Sequence, residues 1–187
     1  GEQAVAGNFY LSSKDNGLTW KRVNTPVGMP FADRQSPVSK EYIRVTHMPG
    51  MGVFCVRTNG GLNGGRSIIK IAETNSIMVK PPVFVDGGKR IVVAAHGDVK
   101  PKGCYTYVSD DDGLTWKRSN IVTTPDHQGG GFHQGKRWNH GAVEPTVIEL
   151  KDGKLWMIMR TSQDYHYEAF SEDGGLTWSE TRPSPFY

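Results

Sequence analysis

The segment from Glu144 to Arg160 opens on a carboxylate, closes on a guanidinium, and has Asp152-Gly153 midway between them. It reads as strand, glycine-containing turn, strand. In an antiparallel pair the sum of opposing residue numbers is constant, so position 144 faces 160 or 161. Both side chains then emerge at the same open end, within reach of each other. A carboxylate placed there can accept a proton, and a guanidinium fork matches the two oxygens of a carboxylate. The same pair can equally be an ion pair at a strand end with a structural role alone.

Two further segments repeat this layout. In Lys80 to His96, Pro81 falls on Pro145, Val83 on Val147, Ile91 on Leu155 and His96 on Arg160. Glu41 to Arg57 aligns as well, with Arg57-Thr58 on Arg160-Thr161. The expectation is that Glu41, Arg57, Lys80, His96, Glu144 and Arg160 share one rim of an otherwise apolar architecture and make a candidate site there. A Gly- and His-rich insert, Thr123–Asn139, leads to His140. His127, His133 and His140 match no known metal spacing and have no cysteine beside them, so the insert is read as a loop that contacts substrate, with no metal and no cofactor expected.

The elements that must position these residues are set by a second repeat. The pattern Ser-x-Asp-x-Gly-x-Thr-Trp occurs at Ser13–Trp20, at Ser109–Trp116 and at Ser171–Trp178, each time after a short apolar or aromatic strand. Its chemistry is local. Glycine supplies positive φ, the Asp carboxylate (Asp15, Asp111, Asp173) accepts backbone N–H groups, and Trp20, Trp116 and Trp178 cover the turn. Turn chemistry accounts for every fixed position, so the motif is read as structural and remote from any site. Hairpin, third strand, then turn motif is the order of a propeller blade. The chain divides into the tail of one blade (1–20) and blades over about 38–76, 77–118 and 140–180, the first of these three having lost its turn motif around Ile68–Asn75. The expected fold is all-β, a single partial β-propeller domain over 1–187 with about three and a half blades present. Because such an arc does not close, the remaining blades are expected from the rest of a longer chain or from a second chain.

The three octamers are Asp boxes, and with them the sequence resembles the sialidase (neuraminidase) superfamily of six-bladed propellers. The resemblance covers nearly the whole chain. In that family a Glu heads a segment of the form Glu-x-x-x-x-x-Leu-x-Asp-Gly-x-Leu that ends in Arg, and an Asp box follows. Glu144, Arg160 and Ser171 stand in that order here. The resemblance implies that Glu144 is the catalytic base that activates a Tyr nucleophile. It implies that Arg160 binds the carboxylate of an acidic glycan; the shared rim adds His96 and Arg57, and the Gly- and His-rich loop adds His140, as further expected substrate contacts. The family's Arg-Ile-Pro motif and acid/base Asp precede the first Asp box, and its third Arg and its Tyr lie in later blades; none is present in this sequence. The implied function is a glycoside hydrolase of the exo-sialidase type, incomplete as given. A propeller polysaccharide lyase acting on uronates, with His96, His140 and Arg160 available to it, and a non-catalytic glycan-binding propeller stay open beside it.

Composition fits and excludes. The chain has 187 residues, with 23 Gly and 11 Pro, as a turn-rich globular protein would. The net charge of +3 is small and spread along the sequence, which makes no case for nucleic acid. No apolar run approaches the roughly 20 residues that span a bilayer, so no membrane partner is expected. The N-terminus Gly1-Glu2-Gln3-Ala4 lacks the regions of a signal peptide, while the expected location is secreted or periplasmic. Cys55 and Cys104 are read as two free thiols in strands.

Overall fold

The computed structural model describes residues 9–15, 17–24, 34–59, 65–97, 99–126, 141–163 and 165–186. The chain is all-β: among the described residues the one helical element is a single 3-10 turn at Asp86–Gly88. Strands β1 (Phe9–Ser12) and β2 (Lys21–Asn24) form an antiparallel ribbon around the first Asp box. The next sheet orders β3 (Arg34–Gln35), β4 (Tyr42–Met48), β5 (Gly52–Thr58) and β6 (Arg66–Ala72). The middle sheet contains β7 (Ser76–Ile77) and β8 (Val83–Val85), both paired with β9 (Arg90–Gly97), followed by β10 (Cys104–Ser109) and β11 (Lys117–Arg118). The last sheet orders β12 (Val143–Glu149), β13 (Leu155–Arg160), β14 (Tyr167–Ser171) and β15 (Arg182–Pro183).

The middle sheet is buried on both faces, and its sequence shows why. Alternate residues of a strand point to opposite faces. Ile91, Val93 and Ala95 of β9, with Tyr105 and Tyr107 of β10, pack against Ile43, Val45, Val53 and Cys55 of the preceding sheet. Val92 and Ala94, with Cys104 and Val108, pack against Val147, Leu155, Met157, Met159 and Ala169 of the following one. A continuous apolar run is the pattern that double burial requires. Cys55 and Cys104 are both buried and free. Burial pushes the Cys55 thiol up to about 12 and moves the Cys104 thiol in the same direction, so neither is a reactive thiolate.

The Asp boxes sit between the third and fourth strands of their blades and repeat one network. In the last copy Ser171 Oγ accepts the Gly175 N–H and donates to Asp173 Oδ1, both at 2.8 Å. Asp173 then accepts the Thr177 N–H at 2.9 Å and the Thr177 hydroxyl at 2.6 Å. Ser109, Asp111 and Thr115 do the same, as do Ser13, Asp15 and Thr19. The turn requires glycine at φ near 90°: Gly17 is at 90°, Gly113 at 89° and Gly175 at 96°. Partial burial pushes the Asp111 and Asp173 carboxyls up, but the Thr, Ser and backbone donors outweigh it and hold both below their ordinary value. Asp15 is lowered to about 2, chiefly by the Thr19 hydroxyl.

The boxes also join blades. Trp20 and Trp116 donate to the carbonyls of Gly17 and Gly113 in their own turns. In the third box the hydroxyl of Thr106, fully buried on β10, stands between the two partners. It accepts from Trp178 Nε1 at 3.0 Å and donates to the Gly175 carbonyl at 2.5 Å. Asn120 adds a reciprocal pair with the Trp178 backbone. Arg90 bridges Asp110 of the second box and the Asp173 carbonyl of the third.

One expectation from the sequence is corrected here. Glu41 and Arg57 do not lie at the same end as Glu144 and Arg160. Arg57 pairs with Glu41 at 2.5 Å and with Asp112, inside the second Asp box, at 3.2 Å. Ser36 donates to the same Asp112 carboxylate. Ser109 opposes Ile91 and Cys104 opposes His96, so the box lies a full strand length from His96. The physical reason is a slip of one strand. Two-residue β3 is the first strand of this blade, so β4 corresponds to β9 and β13, and β5 to β10 and β14. Ile68–Ala72 belongs to the fourth strand of this blade and not to a lost Asp box, and the sheet runs from Arg34 to Ala72.

Three outcomes follow, each read by denaturation of the full-length protein. Thr106→Val strands the Trp178 N–H and the Gly175 carbonyl and costs about 1–3 kcal/mol, while Thr106→Ser costs less. Arg57→Met leaves Asp112 and Glu41 unpaired and costs about 1–3 kcal/mol, discounted from a fully buried pair for the exposure of Glu41. Because folding lowers the Asp111 and Asp173 carboxyls, their stabilisation is complete above the unfolded value of about 3.9 and is lost as pH falls through the folded values. Asp173→Asn therefore flattens the loss of stability below about pH 4; an unchanged acid limb would remove the box carboxylate from the account.

Candidate functional site

At the end of the blades away from the Asp boxes, β12 and β13 bring Glu144 and Arg160 together. Arg160 Nη1 donates to Glu144 Oε1 at 3.0 Å, and both side chains are exposed, at 66% and 44%. An ion pair this accessible contributes about 0–1 kcal/mol. It is therefore inexpensive to open, and an incoming anion can compete for the guanidinium.

The register departs from the simple hairpin sum. From Glu149↔Leu155 to Thr146↔Ile158 the pairing is regular, but Val143, not Glu144, opposes Arg160. Glu144 and Pro145 form a β-bulge. Pro145 has no N–H to give to the ladder, which favours an irregularity at this point. Glu144 takes φ of 51°, an uncommon conformation for a residue with a Cβ and a restricted one before proline. Its own N–H donates to His96 Nδ1 at 3.2 Å, which ties the bulge to the end of β9. Strain of this kind costs of order 1–3 kcal/mol and persists where its surroundings hold it.

The pair borders a cleft of about 610 Å³ that also reaches Asn75, Ile77, His96, Lys100 and Lys102. On the other side of the pair a depression of about 320 Å³ reaches Lys80 and His166. Gly97 sets the near wall: at φ of 133°, a Cβ there would lie 2.6 Å from the Asn75 carbonyl. The glycine therefore lets β7 close on β9 and brings Asn75 into the cleft. Asn75 Oδ1 in turn meets His47 Nε2 at 3.0 Å. By strand order His47, near the end of β4, occupies the level of His96 and Arg160 that the sequence reading gave to Arg57.

The structure thus brings Glu144, Arg160, His96 and Lys80 to one end and leaves Arg57 and Glu41 at the other. His140, with His127 and His133, lies outside the described residues. Sequence reasoning missed Asn75, Lys100, Lys102, His47 and His166. The lysines had a usable signal, since they follow His96 in the connection that leaves the end of β9. Among the described residues no group of His, Cys, Asp and Glu is placed to hold a metal ion. Tyr105 and Tyr107 are structural: Tyr105 donates to Ser76 at 2.6 Å, the Tyr107 hydroxyl lies 2.9 Å from the same oxygen, and burial pushes Tyr105 up to about 12.

Comparison with known proteins places this architecture. A Dyadobacter fermentans protein of unknown function superposes with a TM-score of 0.54 at 21% identity, over 100% of this chain and 61% of that one. The NanB sialidase of Streptococcus pneumoniae, solved with a substituted ethanesulfonate, matches with a TM-score of 0.52 at 19% identity, over 71% of this chain and 19% of its own. The intramolecular trans-sialidase of Ruminococcus gnavus, in complex with oseltamivir carboxylate, matches with a TM-score of 0.51 at 18% identity, over 96% and 34%. The chain spans less than two thirds of the length of each of these structures. At such identities the likeness is one of fold, the sialidase-type β-propeller. Among the described residues no helix is long and apolar enough to cross a membrane. The model of the BNR repeat-like domain matches residues 65–187, and the chain belongs to that family.

Proposed function

We propose that this chain supplies part of the active site of an exo-sialidase-type glycoside hydrolase that acts on terminal acidic sugars. The observation that carries the reading is the Glu144–Arg160 pair, exposed at a cleft and held on a strained bulge. A structural ion pair has no need of a left-handed glutamate. In this reading the substrate carboxylate displaces Glu144 from Arg160 and takes the guanidinium fork. The freed Glu144 carboxylate accepts the proton of a Tyr hydroxyl from another blade, a nucleophile too weak to act at its own pKa of about 10. The Tyr oxygen bonds to the anomeric carbon as the bond to the leaving oxygen breaks, and an acid protonates that oxygen. Water then releases the sugar from Tyr and restores its hydroxyl. His96 and Lys80 flank the pair, and His140 belongs to the proposed site on the sequence alone.

The rest of the propeller is proposed to cover the outer face of the last sheet. There Ile148 is 44% exposed, Trp156 and Ile158 are half-buried, and Phe186 lies 5.9 Å from Trp156. The reading places the protein outside the cytoplasm, where acidic glycans are met.

The test uses the full-length protein with an aryl sialoside. Glu144→Gln is expected to lower kcat by about 10²–10⁴-fold. Arg160→Lys keeps the charge and loses the fork, so kcat/KM falls by about 10–100-fold, while Arg160→Met unfolds at nearly the wild-type midpoint. Normal turnover by Arg160→Met overturns the assignment, and release of an unsaturated product from a uronate polymer turns it to a lyase.

A further inference from the structure

We infer that His96 is a positioning residue, which holds Glu144 in its left-handed bulge by accepting its backbone N–H and does so only while its Nδ1 carries no proton. The proposal builds on the role given to Glu144 above. A backbone N–H can only donate, so the 3.2 Å contact from Glu144 fixes Nδ1 of His96 as an acceptor. The neutral ring then carries its proton on Nε2. The restraint falls on the one residue of β12 that most needs it, a non-glycine at φ of 51° followed by proline. β12 is the edge strand of its sheet, so only alternate N–H groups face β13, and the Glu144 N–H at the bulge is taken up by β9 of the neighbouring blade. The contact therefore restrains the backbone conformation of Glu144 from the neighbouring blade.

Protonation reverses the interaction. With a proton on Nδ1 the ring presents a donor to a donor, and the bulge loses its anchor. Among the described residues, the charged groups that line the cleft with His96 are Glu144 on β12, Arg160 on β13, and Lys100 and Lys102 on the connection after β9. Ile77, opposite it on β7, and Asn75, just before that strand, do not titrate, and Cys104, opposite on β10, is a buried thiol that stays protonated. Acid is therefore expected to release Glu144 through His96, apart from any titration of the glutamate itself.

Substitution separates this role from direct substrate contact. The Oδ1 of asparagine can take the place of Nδ1 as an acceptor, but it does not titrate in this range; alanine offers no acceptor. In the full-length protein, His96→Ala is expected to lower kcat/KM by about 10–100-fold, mainly through kcat, because the base is misplaced. His96→Asn is expected to retain most activity, and its ratio to wild type should rise as pH falls. Alanine and asparagine variants of equal activity, or superimposable pH profiles for wild type and His96→Asn, would overturn the proposal.

A second measurement needs no activity. With 15N-labelled histidine and glutamate, long-range correlation spectra should show an unprotonated Nδ1 for His96 at neutral pH. The Glu144 amide should move when the ring protonates and in His96→Ala, and stay close to wild type in His96→Asn. A proton on Nδ1 at neutral pH, or a Glu144 amide indifferent to both, would overturn the proposal. If the wild type turns over no acidic glycoside, the functional reading fails and these spectra still decide the role of His96.

Discussion

A blade of antiparallel strands sends its connections alternately to two ends, and stacked blades share the alternation. Turns between first and second strands and between third and fourth strands gather at one end; the connections between second and third strands gather at the other. This constraint divides the molecule. At the first end lie Asp111 and Asp173 with their clamps, the Arg90 bridge, and the Arg57–Asp112 pair. At the second lie Glu144, Arg160, His96 and the two lysines. One end binds the blades to each other, and the other leaves charged groups open to solvent.

The two ends follow opposite energetic rules. At the box end each Asp-box carboxylate is filled by hydroxyl and backbone donors, and Thr106 serves two partners while fully buried. Such groups stabilise because leaving any one of them unpaired is costly. At the open end the Glu144–Arg160 pair is exposed and weakly stabilising, and Glu144 is held in an unfavourable conformation. The apolar packing of the middle sheet against both neighbours supplies the rigidity that keeps that strain in place.

The legibility of the sequence follows from the range of each interaction. The Asp boxes were legible because the Ser–Asp–Thr clamp within each spans four residues or fewer. The Glu144–Arg160 contact was legible because a single tight turn fixes its register. Arg57 was not legible because β3 has two residues and leaves no apolar run, so that β4 and β5 read in sequence as the first hairpin of the blade although they are its second and third strands. The bulge at Glu144 had one local signal, Pro145, but its anchor on His96 depends on how two blades pack and has no trace in spacing. The lysines of the connection after β9 were legible only through His96, which they follow: the strand order that puts His96 at the open end puts them there too.

The central claim is that the open end around Glu144 and Arg160 is where an acidic sugar binds. A crystal structure of the full-length protein with a 2,3-unsaturated sialic acid analogue tests it most directly. The account predicts the ligand carboxylate in bidentate contact with Arg160, with Glu144 released from the guanidinium and still bonded through its N–H to His96. A ligand bound elsewhere, or an Arg160 that stays on Glu144 and does not touch it, would contradict the account.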